Sequence, residues 1–163
     1  MRDIGTLGGP GSFPAGGCNN QRASLVAGQS FTNAIVNPTT GFPTQHAFLW
    51  DSGRMTDIPT LGGTSAFAQC ANNEGQVIGQ SNLAGDVGCP DSCVQHAFSW
   101  DHGTLAELKS LGGSFSVAFW LNNDGEAVGG SLTTGDNEFH ATLWKNGKII
   151  DLDPTERQCG ICY

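Results

Sequence analysis

Apolar residues along this chain come in short alternating runs, and turn residues cut each run before a helix can form. His96-Ala97-Phe98-Ser99-Trp100 places successive side chains on opposite sides of an extended backbone. Asp101-His102-Gly103 interrupts that run, Leu105-Ala106-Glu107-Leu108 resumes it, and Leu111-Gly112-Gly113 closes it. The same order occurs from His46-Ala47-Phe48-Leu49-Trp50 to Leu61-Gly62-Gly63. It occurs again from His140-Ala141-Thr142-Leu143-Trp144, with threonine where the others have phenylalanine. The tail alone opens the chain at Asp3-Ile4-Gly5-Thr6-Leu7-Gly8-Gly9. No window holds apolar residues at sustained helical spacing, so the pattern predicts an all-β protein.

The pattern is periodic. Trp50 and Trp100 lie 50 residues apart, and Trp100 and Trp144 lie 44 apart. A period of this size marks a repeat architecture. The drift falls in one segment of each unit, between Gly-Gln-Ser (or Gly-Gly-Ser) and the histidine. Those segments, 31–45, 82–95 and 132–139, read as loops because loops tolerate insertion. Each unit predicts four strands. One follows the Gly-Gly pair, as in Ser65–Ala71. A short one follows the Asn-Asn-x-Gly turns at 72–75 and 122–125. The third is the histidine-to-tryptophan run, and the fourth follows a two-residue hairpin at Ser52-Gly53, His102-Gly103 or Asn146-Gly147. The predicted organisation is 1–9 as the last strand of a preceding repeat, repeats at 10–58, 59–108 and 109–152, and a tail at 153–163. The first repeat departs from the others around Pro14, where proline permits only an edge or bulged strand.

Composition changes this picture in three ways. Glycine, 24 of 163 residues, supplies turns instead of disorder, because aromatic and β-branched residues remain plentiful. Seven Lys and Arg against fifteen Asp and Glu give a net charge of −8. Such a surface cannot neutralise a run of phosphates, which argues against nucleic acid and anionic membranes as partners. No apolar run is long enough for a membrane helix, so no membrane insertion is expected. Met1-Arg2 runs straight into a repeat tail with no signal peptide, so the chain reads as starting mid-unit. The six cysteines are Cys18, Cys70, Cys89, Cys93, Cys159 and Cys162. Cys89 and Cys93 suit either a small disulfide or two thiols. Cys159-Gly160-Ile161-Cys162 lacks the context of a zinc or thioredoxin site.

Leu-Gly-Gly, Asn-Asn-x-Gly and His-Ala-Phe-x-Trp, in this order over residues 1–152, resemble the HAF-repeat family of bacterial repeat proteins. The resemblance implies an extracellular or surface location, a propeller-like stack of four-stranded blades, and no established biochemical activity. Kelch blades are a looser analogy, with a Gly-Gly doublet, a downstream tryptophan and about 50 residues per unit. Three units are fewer than the four to eight blades that close a propeller. An open or partial propeller is therefore expected, or a homodimer closing six units, with a β-trefoil as the alternative.

Among residues of chemically active type, His46, His96 and His140 are candidates for a metal site, since equivalent positions can converge on one ion. The competing reading, which the strand spacing favours, packs each imidazole near tryptophan with a backbone hydrogen bond. Asp57, Glu107 and Asp151, with Asp3 matching them, recur near the unit ends. They suit calcium or acid–base work, or else simple solvated or turn-capping roles. Asn72–Gly75 and Asn122–Gly125 read as turns, because they lack the alternating carboxylates of a calcium loop. Trp50, Trp100 and Trp144 are candidate ligand contacts that would stack on sugar rings if exposed, and core between units if not. No nucleophile, zinc or phosphate-loop motif occurs, and no catalytic residue or cofactor is predicted. The expected function is a non-catalytic interaction module, for a protein or glycan, whose variable loops face the partner. The alternative is a carbohydrate-binding module or part of a glycan-active propeller enzyme.

Overall fold

A computed structural model describes residues 3–15, 25–38, 40–85 and 94–153. Among the described residues twelve strands run in chain order: β1 (Ser12–Pro14), β2 (Leu25–Val36), β3 (Pro43–Asp51), β4 (Arg54–Ile58), β5 (Gly62–Ala71), β6 (Val77–Leu83), β7 (Gln95–Asp101), β8 (Thr104–Glu107), β9 (Gly112–Leu121), β10 (Ala127–Thr133), β11 (Phe139–Lys145) and β12 (Lys148–Asp151). No helix occurs among the described residues.

The strands form three consecutive antiparallel meanders, β1–β4, β5–β8 and β9–β12. One parallel bridge joins the first to the second, Gln45 to Ser65, and one joins the second to the third, Gln95 to Phe115. The strand order is open, running from β1 at one end to β12 at the other. A trefoil closes six of its strands into a barrel, so this open order does not have that form.

The meanders meet through two cores. In the first core, Ala27, Ala47, Leu49 and Ile58 of the first meander meet Ala66, Ala68, Val77, Phe98 and Trp100 of the second. In the second core, Cys70, Ile78 and Ala97 of the second meander meet Ala118, Ala127 and Trp144 of the third. Alternation explains the division: Phe98 and Trp100 point one way along β7, and Ala97 points the other. Small residues dominate these faces, so the meanders can approach closely, and the tryptophan fills the remaining space.

Three local devices recur. The hairpins turn at Ser52-Gly53, His102-Gly103 and Asn146-Gly147 with positive φ at both residues, as expected for the primed turns that suit strand twist. Fully buried Ser30, Ser81 and Ser131 each accept the amide of the Leu-Gly-Gly leucine, from Leu7, Leu61 and Leu111, at 2.8–2.9 Å. Glycine sits where adjacent strands crowd: a Cβ on Gly79 or Gly129 would lie 1.9 Å from the carbonyl oxygen of Phe67 or Val117. Both sites adjoin a register shift in the ladder.

Two expectations need correction. The predicted loops are shorter, because β2 continues to Val36, β6 to Leu83 and β10 to Thr133; the connections are 37–42, 84–94 and 134–138. Ladder hydrogen bonds are backbone bonds, so the pairing runs on past the apolar alternation that marks the strands in sequence. Residues 3–9, expected as part of the last strand of a preceding repeat, hold no strand. They run beside their own β2, with the Gly9 amide on the Phe31 carbonyl and Leu7 on Ser30. Pro14 does sit on an edge strand, β1, as its missing amide requires. Cys18, Cys89, Cys93, Cys159 and Cys162, and the tail from 154, lie outside the described residues.

Candidate functional site

The three candidate histidines and the three recurrent acids belong together. Each hairpin folds its fourth strand back on its third and pairs the acid with Phe48, Phe98 or Thr142, two residues past the histidine, so histidine and acid are diagonal neighbours on one face. His46 Nδ1 lies 2.8 Å from Asp57 Oδ1, His96 Nδ1 lies 2.6 Å from Glu107 Oε1, and His140 Nδ1 lies 2.9 Å from Asp151 Oδ2. The expected backbone partner for the imidazole is therefore corrected to a carboxylate, while Asp57 and Glu107 stay exposed to solvent as they hold their histidines. The signal that would have found this is the constant spacing of eleven, 46 to 57, 96 to 107 and 140 to 151, across a two-residue turn. Asp3 has no such histidine; its carboxylate accepts the Gly5 amide.

His140 differs from the other two. Its side chain is 5% exposed, and its Nε2 is also engaged, 3.1 Å from Glu138 Oε2. Carboxylates only accept, so both ring nitrogens must donate, and that is the imidazolium form. The Asp151 carboxylate raises the His140 pKa above its ordinary value, with Glu138 adding to the effect against the opposing cost of burial. The same hydrogen bond lowers the pKa of Asp151. With both nitrogens occupied, His140 has no lone pair to offer a metal. No group of three or more His, Cys, Asp or Glu side chains is placed to hold a metal ion among the described residues.

The tryptophans occupy one cross-strand row in each meander: Val26–Trp50–Met55, Val77–Trp100–Leu105 and Ala127–Trp144–Ile149. Trp100 and Trp144 are buried in the first and second core, while Trp50 is half-buried. The indole of Trp144 donates to the Lys109 carbonyl at 2.7 Å. As platforms for sugar stacking, Trp100 and Trp144 are thus covered, and the core reading describes them. An exposed tryptophan is found elsewhere: Trp120 on β9.

The Asn-Asn-x-Gly segments are turns. Asn72 Oδ1 accepts the amides of Glu74 and Gln76, and Asn122 Oδ1 accepts those of Asp124 and Glu126. The second turn also stacks on the third: Asn72 Nδ2 donates to the Asn122 carbonyl, and the Asn73 amide donates to Asn123 Oδ1. The Asn72 and Asn122 oxygens are thus committed to backbone amides, which leaves turn chemistry as the account of both segments.

Clefts lined by described residues lie beside these groups. One of about 250 Å³ lies between the second and third meanders, against Trp144, Glu107 and Lys109. One of about 300 Å³ lies at the corresponding place between the first and second, against Trp100, Asp51, Arg54 and Glu74. Another, of about 370 Å³, is walled by Gln29, Gln69, Gln80 and Gln95 with no charged side chain. All lie near or below the small end of ligand pockets, about 300 Å³. Sequence reasoning did not single out the glutamines, which recur only in the first two units: Gln29 and Gln80 share a position that Gly130 holds in the third. Cys70 is fully buried and disulfide-bonded. No helix of the described residues is long and apolar enough to cross a membrane. Comparison with protein-family models, curated proteins and solved structures finds no match to the chain.

Proposed function

We propose that this chain is a non-catalytic interaction module, a partial propeller of the HAF-repeat kind whose four-stranded units stack face to face. The observation that carries the reading is how the recurrent ionisable residues are used. In every unit the histidine is tied to the acid of its own hairpin, so the recurring chemistry holds strands together. What differs between units is the connection between second and third strand, at 37–42, 84–94 and 134–138. Those segments, variable on a constant frame, are the surface offered to a partner. The disulfide at Cys70 supports an oxidising, extracellular setting, where such bonds persist.

The test is a peptide-display selection on the whole chain, repeated after replacing 84–94 with the 134–138 sequence. Selected peptides should lose binding to the swapped variant while circular dichroism stays unchanged. Binding that survives replacement of each connection in turn, or turnover of a glycan substrate, would sink the proposal.

A second reading, carbohydrate binding, draws support from the glutamine-walled cleft. Neutral amides both donate and accept, and so suit sugar hydroxyls. A glycan array that stays blank disposes of it; hits that vanish in Gln29→Ala and Gln80→Ala would promote it over the first.

A further inference from the structure

The third meander ends in an apolar face whose counterparts, one and two units earlier, are buried. In the first meander Ala27, Ala47 and Ile58 form that face and lie in the first core. In the second, the corresponding Ile78, Ala97 and Leu108 pack in the second core. In the third, the same positions hold Val128, Ala141 and Leu152, and all three are exposed, Val128 at 39% and Leu152 at 53%. The correspondence extends to the backbone, since Leu108 and Leu152 donate to the carbonyls of Ala97 and Ala141 in the same way. Trp120, 56% exposed, stands where the second meander has buried Cys70. The turns agree: Asn72 is buried under the Asn122 turn, while Asn122 itself is exposed.

The internal interfaces say what covers such a face. In both, the occupant is the tryptophan row of the next meander, Val77–Trp100–Leu105 and Ala127–Trp144–Ile149. This chain carries one further row of that kind, Val26–Trp50–Met55, which is only half-buried because no meander precedes it among the described residues. The molecule therefore presents one half of its own internal interface at each end.

We infer that a second copy of this chain docks head-to-tail, its Val26–Trp50–Met55 row seated on the Val128–Ala141–Leu152 face. The inference rests on reading the three meanders as repeats of one unit. Two such contacts in a closed pair bring six four-stranded units together, within the range in which such rings close. A self-complementary pair of third meanders would also hide the apolar face, but it would leave the Trp50 row uncovered and would reproduce neither internal interface.

Sedimentation of the full chain and of end-face variants tests this. The parent should run as a dimer of about 34 kDa, twice the 17.0 kDa chain. Leu152→Asp and Trp50→Ser should each yield a folded monomer. A mixture of the two variants should recover a dimer, because each retains the end the other lacks. If Trp50→Ser misfolds, Met55→Asp probes the same row. A parent that is monomeric, an open-ended series of polymers, or a dimer broken by Leu152→Asp but not by either row variant would overturn the inference. None of those outcomes touches the interaction module itself, which the display selection addresses separately.

Discussion

At the scale of single residues, the His140 cluster makes the chain's stability depend on pH with a definite sign. Its pKa is raised in the folded state, foremost by Asp151 and then by Glu138. The stabilisation is therefore complete below the unfolded imidazole value and is lost as pH rises through the folded one. Asp151 is shifted the other way, so its contribution holds above the ordinary carboxylate value and is lost as pH falls through the lowered one. The pair is strongest in the window between. Asp151→Asn should bring the His140 titration down toward its ordinary value in an NMR series. It should also flatten the fall in melting temperature on the alkaline side. Parallel stability profiles for parent and variant from about pH 5 to about pH 9 would contradict this. The sequence displayed both halves of the cluster but not their union. A histidine and an acid eleven residues apart look unrelated until the turn between them is known to make them diagonal neighbours across the hairpin. Glu138, from a connection rather than a strand, carried no periodic signal at all.

At the scale of elements, much of the fold was legible because turns are written in residue type. Gly after Ser52, His102 and Asn146 marked the hairpins, and all three form with both residues at positive φ. What was not legible is how far strands run on beyond their apolar alternation, as in β2, since backbone pairing does not ask for apolar side chains. The paired glycines of the third unit show how position sets the cost of a side chain. A Cβ on Gly129 would meet the Val117 carbonyl, fixed backbone, at 1.9 Å. A Cβ on Gly130 would meet the ring end of Phe139, a half-exposed side chain that can swing aside. Gly129→Ala should cost about 1–3 kcal/mol, the range for overpacking, while Gly130→Ala should cost well under half of that. Denaturant midpoints of the two variants decide it; equal losses would mean that the ladder, not the local contact, sets the cost.

At the scale of the whole molecule, stability is shared unequally because the middle meander belongs to both cores and each outer one to a single core. Phe98 is the hinge of this arrangement. It is fully buried, comes from the middle meander, and packs against the first. Truncation there opens a cavity that neither meander can collapse into, at about 3–5 kcal/mol. In a stack where each unit contacts only its neighbours, such a loss propagates by nearest-neighbour coupling. At dilutions that separate the copies, the parent should therefore show its slowest hydrogen exchange in β5, β6 and β7, and its fastest in β11 and β12, whose outer face is then uncovered. Phe98→Ala should accelerate exchange in β2 and β3 more than in β10 and β11, because the second core does not contain Phe98. If the second copy covers the third meander, protection of β11 and β12 should rise with protein concentration while that of β6 stays constant. Uniform exchange across all three meanders would mean that the chain unfolds as one indivisible unit and that the two cores do not act separately.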